Sequence, residues 1–290
     1  MTKKGISLVG IKDIREVAKI REIYPDAWFE LSYMSTEESL KETLPFIKGR
    51  VASIHLLAPV RPYFPNLASD NSYSWSLNEI LKDAEAALKL GAENLVLHPG
   101  YLVDGLVSRD YKTRLVQLKE LNMEEYMVSK EESVASSSYI DSPLYKSAFQ
   151  KMAENALEVT EKVRAMGLNL ALENLNPRTG YMVLHPDEMI YLATLGLDLC
   201  VDVGHLQVNS AIFGFDVLSE TKRILDTGRV KTMHLHSNPS HIGVYKDSHN
   251  SLNKFLPNYE KILEYGEKKG SNLILETLED TMGNLSLLFN

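Results

Sequence analysis

Asp202 and His205 stand three residues apart, where the apolar run 197–203 gives way to Gly204. An acid and an imidazole so spaced at the C-terminal tip of a buried strand can turn toward one point above the sheet. Five other apolar runs end alike, in His55, in His98, in Glu173-Asn174, in His234-Leu235-His236 and in Glu276-Thr277. An unpaired carboxylate is costly to bury, so Glu173, Asp202 and Glu276 call for a metal or a basic partner. Imidazoles are the commonest metal ligands. Asp247-Ser248-His249, in the loop after the His234 run, extends the set to nine: His55, His98, Glu173, Asp202, His205, His234, Asp247, His249 and Glu276. One ion takes about four to six ligands from protein and water. Nine therefore supply two or three ions, or one ion plus acid–base and substrate-binding groups. Each residue also has a plainer reading. Asp202 suits a helix cap, His55 and His98 suit core imidazoles, and Asp247 to His249 suits a polar turn. Their recurrence at strand ends is what favours a metal site.

Eight strands must position these residues. Apolar runs at 5–9, 26–31, 50–57, 94–98, 168–173, 197–203, 230–236 and 273–276 read as strands. Helical spacing and start or stop signals place helices between them, at 12–23, 35–46, 76–90, 142–166, 186–195, 216–226 and 259–269. The alternation predicts a single α/β domain over 1–290, a (β/α)8 TIM barrel. Residues 101–141 form a long insertion after the fourth strand, with a helical piece at 111–121, and read as a lid. Fourteen residues follow the last strand, so a final helix is short or missing. No GxGxxG or P-loop appears, which weighs against a nucleotide-binding open sheet, and no GxSxG marks a serine nucleophile.

The 290 residues carry a net charge of −8, with 44% hydrophobic and 24% charged. That balance suits a globular enzyme and weighs against an extended nucleic-acid footprint. The lone Cys200 lies in an apolar strand and reads as packing. With no disulfide framework and no leader-like start, a cytoplasmic location is expected, and no window is apolar enough to span a membrane. Outside the nine, Arg178 could grip a phosphate or carboxylate. Arg61, Tyr63 and Asn66 lie in a loop after His55, close enough in sequence to meet substrate. His234 and His236 share a strand face, so one can bind metal while the other touches substrate. His185 reads as structural, and His241 has no role assigned.

The motifs HPG at His98, ALEN around Glu173, VDVGH ending at His205, HLH at His234, DSH at 247–249 and LET around Glu276 resemble those of the xylose-isomerase-like TIM-barrel superfamily. The resemblance spans residues 55–277. It implies one of two activities. The first is a sugar or sugar-phosphate isomerase or epimerase. In it Glu173, Asp202, His234 and Glu276 hold one divalent ion, Zn or Mn foremost, and Glu173 and Glu276 pass a proton through an enediolate. His205, His236, Arg178, Tyr63 and Asn66 are then placed to hold substrate. The second is an endonuclease IV-like zinc phosphodiesterase that cuts DNA at abasic sites, with all nine ligands around three zinc ions. Ser237 where that branch usually has Asp, NSLNKF after His249, and the acidic balance favour the first. An inactive metal-binding barrel is the third reading.

Overall fold

The computed structural model describes residues 2–290. Eight parallel strands close into a barrel: β1 (Lys4–Ser7), β2 (Trp28–Leu31), β3 (Val51–His55), β4 (Asn94–Leu97), β5 (Asn169–Glu173), β6 (Asp198–Asp202), β7 (Val230–Leu235) and β8 (Asn272–Leu275). β1 pairs with β2 on one side and with β8 on the other. This is the expected fold.

Strand periodicity decides where the chemistry lies. Side chains of a strand alternate between faces. Leu95, Leu97, Leu170, Leu172, Leu199 and Val201 face outward into the main core, against the helices. Val96, Ala171 and Cys200 form a separate small cluster inside the barrel. Two residues beyond each of these comes a polar group: His98 after Val96, Glu173 after Ala171, Asp202 after Cys200. The same step leads from Ser53 to His55, from Thr232 to His234 and from Ile274 to Glu276. One layer of small or apolar side chains thus plugs the barrel, and the next is the ring of candidate ligands at its C-terminal mouth.

The surrounding helices are α1 (Ile14–Ile23), α2 (Glu37–Ile47), α3 (Asp70–Leu90), α5 (Pro143–Ala165), α6 (Pro186–Thr194), α7 (Val203–Phe213), α8 (Val217–Leu225), α10 (Tyr259–Lys269) and α11 (Thr281–Phe289). α4 (Tyr111–Lys119) lies in the insertion, and α9 (Leu252–Phe255) is a single turn. None is long and apolar enough to cross a membrane. Two features differ from the sequence expectation, and the last helix is short, as expected. α3 starts at Asp70 rather than 76, because Ser69 Oγ accepts from Ser72 N as its N-cap. α7 was not expected. It begins at once after β6 because Asp202 caps it, with His205 N donating to Asp202 Oδ1 at 2.6 Å. The last helix is present, nine residues long, and its Phe289 ring stacks on Tyr24 at the end of α1, centroids 5.1 Å apart.

The insertion is ordered by three ties. Val107–Ser108 pairs antiparallel with Tyr63–Phe64 of the loop after β3. Met127–Ser129 pairs with Val134–Ala135. Bridges Tyr101–Tyr181 and Val134–Arg178 join it to the loop after β5. Residues 101–141 therefore hold down two neighbouring loops over the barrel mouth.

Candidate metal centre and substrate cavity

All but His185 and His241 of the eight histidines gather at the mouth with the acids. They fall into adjoining groups whose ligand atoms lie within 4.8 Å of one another. His55, His98 and Glu173 form one; Glu173, Asp202, His234 and Glu276 form a second; His205, His236, Asp247 and His249 form a third. All nine expected ligands are brought together. His236 joins the third group while His234 belongs to the second, so the two histidines of one strand face different centres.

Glu173 links the first two groups. Its Oε2 lies 3.1 Å from His55 Nε2 and 3.3 Å from His98 Nε2, and its Oε1 lies 3.0 Å from His234 Nδ1. Glu276 Oε2 is 3.7 Å from the same His234 Nδ1, so the two carboxylates flank one imidazole. Asp202 serves twice: besides capping α7, it accepts from His236 Nε2, 3.0 Å from Oδ1. Asp247 joins the third group, 3.2 Å from His205 Nε2 and 3.4 Å from His249 Nε2.

The donor set fits a divalent ion. Both nitrogens of His55, Oε2 of Glu173 and Oε1 of Glu276 are buried without a hydrogen-bond partner. His55 Nε2 and Glu173 Oε2 are close but not aligned as donor and acceptor. Two ligands of one tetrahedral zinc, each about 2.1 Å from it, lie on the order of 3.4 Å apart. Side-by-side lone pairs at such spacing are what an ion collects.

Above the ring is a cavity of about 390 Å³, lined by His55, His98, Glu173, His205, Asp247, His249 and Glu276 below. Tyr33, Phe64, Tyr181 and, from the insertion, Tyr101, Arg109, Tyr111 and Arg114 also line it. Residues 27–264 match the family described as xylose isomerase-like TIM barrel. The chain belongs to that family. Solved structures of like fold include a D-tagatose 3-epimerase-like protein, 17% identical with a TM-score of 0.66, over 99% of this chain and 96% of that one. Another is a 3-keto-D-glucoside 4-epimerase from E. coli, 13% identical, TM-score 0.63, over 99% of both chains. A third is a family 2 AP endonuclease from Brucella melitensis, 14% identical, TM-score 0.62, over 99% of this chain and 98% of that one. At such identities the likeness is one of fold. No curated protein matches the sequence.

Charges in this xylose isomerase-like barrel are strongly coupled. Burial opposes ionisation of Glu173, yet His234, His55 and His98 hold its carboxyl well below the usual range. Glu276 is likewise held low, by His234 and His55, against its burial. Burial also works against the His55 and His249 cations, but the Glu173 and Asp247 carboxylates respectively raise them to about 9.

Other expected contacts lie elsewhere. Tyr63, Asn66, Arg178 and His236 do not line the cavity, His236 being fully buried beneath it. Tyr63 packs edge-on against Trp75. Asn66 is buried in loop bonds, accepting from Tyr101 N at 2.9 Å and donating to Val103 O at 2.7 Å. Arg178 Nη1 donates to Glu132 O at 2.9 Å, at the seam between insertion and loop. Arg61 pairs with Glu79 and Asp83, and His185 caps α6.

Glu30 escaped the sequence reading. It is fully buried on β2, with His234 Nε2 3.1 Å from each of its oxygens and Ser53 Oγ donating at 2.7 Å. The signal was present, since DAWFEL carries a lone acid near the end of an apolar run, as Glu173 does. Nothing in the sequence pointed to Tyr33, Arg109 or Arg114: Tyr33 lies in the loop after β2, and the insertion brings the two arginines over the mouth.

Proposed function

We propose that the chain is a divalent-metal-dependent isomerase or epimerase of a monosaccharide. The observation that carries this reading is the Glu173, Asp202, His234 and Glu276 group, of which Glu173 and Glu276 line a small cavity at the barrel mouth. About 390 Å³ lies at the low end of the range for small-molecule sites, about 300–1,000 Å³. That suits one sugar ring or open-chain sugar.

An ion held by these four residues supplies Lewis-acid polarisation of a carbonyl and its neighbouring hydroxyl. The protein does the rest. Glu173 and Glu276 both reach His234 Nδ1, at 3.0 and 3.7 Å. With one carboxylate ionised and the other protonated, the first takes the proton from the carbon beside the carbonyl and the second gives its own proton to that carbon or its neighbour, so a turnover exchanges their protonation states, which solvent resets between turnovers. Glu30 fixes the proton on His234 Nε2, leaving Nδ1 for the ion. The aromatic side chains of Tyr33, Phe64 and Tyr101 limit the water around the reacting carbons while substrate is bound. That one similar structure is a 3-keto-D-glucoside 4-epimerase and another a D-tagatose 3-epimerase-like protein also supports the reading.

A second reading has its own observation. The three adjoining groups, with Glu173 shared, suit a multi-ion phosphodiesterase of the AP endonuclease kind. The roof and the net charge of −8 oppose entry of a duplex.

The deciding experiment incubates the metal-loaded full chain with a panel of ketoses and ketose phosphates in deuterated water. Incorporation of deuterium beside the carbonyl, lost in Glu173→Gln and Glu276→Gln, is expected. No exchange with any sugar, together with nicking of an abasic-site duplex, overturns the reading in favour of the second.

A further inference from the structure

Arg109 and Arg114 present an unsolved charge problem. Both line the cavity, and both come from the insertion. Arg109 stacks between two rings, its guanidinium carbon 4.4 Å from the Phe64 centroid and 5.0 Å from that of Tyr33. Its Nη1 donates to Tyr33 O, while Nε and Nη2 are buried with no partner. Arg114 lies over Phe64 and Tyr111, at 5.3 and 5.7 Å, and its Nη1 donates to Ser108 O and Arg109 O at 2.9 and 3.1 Å. Among the described residues no carboxylate comes within 4.0 Å of either guanidinium. Arg61 shows how this chain treats an arginine whose role is structural, pairing it with Glu79 at 3.1 Å and Asp83 at 3.4 Å.

A buried cation with open donors is stabilised by an anion, and the guanidinium fork matches the oxygens of phosphate or carboxylate. Burial lowers Arg109 to about 10, so it still carries its charge at neutral pH. The position fits one substrate. Tyr33 stands between Arg109 and the ligand ring, its own ring 4.7 Å from that of His55. Arg109 is thus one aromatic ring away from His55, and both arginines line the same cavity as Glu173 and Glu276.

We infer that Arg109 and Arg114 form an anion subsite, and that the substrate is a monosaccharide bearing a terminal phosphate or carboxylate. This rests on the isomerase or epimerase reading for its sugar, but not for its anion. Neutral sugars are then poor ligands of this cavity, and the insertion selects substrate as well as covering it.

The test titrates the metal-loaded full chain calorimetrically with three ketohexoses that differ at carbon six: D-fructose, D-fructose 6-phosphate and D-fructuronate. One anionic sugar is expected to bind at least about ten-fold tighter than D-fructose, and which one does so identifies the group. Arg109→Gln should erase that advantage, bringing the anionic sugar to the affinity of D-fructose measured on the same variant. Arg114→Gln should reduce it in the same sense and serves if melting curves show the first variant unfolded. Equal affinity for the three sugars, equal losses for all in the variants, or no binding at all overturns the inference. The same titrations on Glu276→Gln separate the two ideas. An anion preference that persists there belongs to the arginines, whereas missing deuterium exchange counts against the proposed reaction alone.

Discussion

His234 is gripped from below by Glu30, with Nε2 3.1 Å from both carboxylate oxygens. An ionised carboxylate only accepts hydrogen bonds, so the contact holds the imidazole proton on Nε2 and turns Nδ1 toward Glu173 and Glu276. Outer partners of this kind typically govern metal affinity by about 10–100-fold. Glu30→Gln should therefore weaken metal binding by about that factor, with little change in far-ultraviolet circular dichroism. Competition against a chromophoric chelator measures it, and unchanged affinity would deny Glu30 this role.

Glu276 is assigned a proton-transfer part as well as a ligand part. Glu276→Asp keeps the charge and withdraws the carboxylate by one methylene. At constant metal occupancy, turnover should fall by about 10²–10⁴-fold, with a much smaller change in KM. A variant that loses KM and keeps kcat would show a binding role instead.

Gly204 explains its own place in VDVGH. A Cβ there would lie 2.0–2.4 Å from the His236 ring, far inside contact distance. Gly204→Ala must displace His236 and so disturb the third group, while the second group stands. Metal stoichiometry by elemental analysis, compared with wild type, should fall or stay level according to whether the third group holds an ion, and the His236 resonances should shift either way. Unshifted His236 resonances would contradict the close packing.

Asp83 offers a pH signature away from the centre. Burial pushes its carboxyl up to about 6 from 3.8, against the hydrogen bond from Ala58 N and the nearby Arg61 charge. A folded value above the unfolded one contributes stability that is full below about 3.8 and is lost as pH rises through about 6. Asp83→Asn removes that dependence. Relative to wild type, its melting temperature should improve between about pH 4 and pH 7. A difference that stays constant across this window would contradict the assignment.

Much of this site could be read before any coordinates. Glu173, Asp202, His234 and Glu276 were legible as polar ends of apolar strands, and as one ligand set only through the family resemblance; strand alternation explains why they share a layer. His236 was legible as sharing a face with His234, but the register that sends it to a different group is set by α7, whose start the sequence hid behind an apolar run. Arg178, Tyr63 and Asn66 were weighed by closeness in sequence to a ligand. The ties between the insertion and its two neighbouring loops determine where they point. Arg109 and Arg114 were out of reach for the same reason.

The double engagement of Asp202 bears on how such a barrel diverges. Its Oδ1 starts α7, and the same carboxylate steadies His236, whose Nε2 lies 3.0 Å from Oδ1 and 3.1 Å from Oδ2. N-cap losses typically cost about 0.5–2 kcal/mol, so a lineage shedding its chemistry would still be selected to retain aspartate for the sake of the helix. Glu173 has no such second employment, for its side chain bonds no backbone group. In a descendant of this chain, a surviving aspartate at 202 would testify to little, and the fate of the glutamate at 173 would mark the moment the catalyst was abandoned.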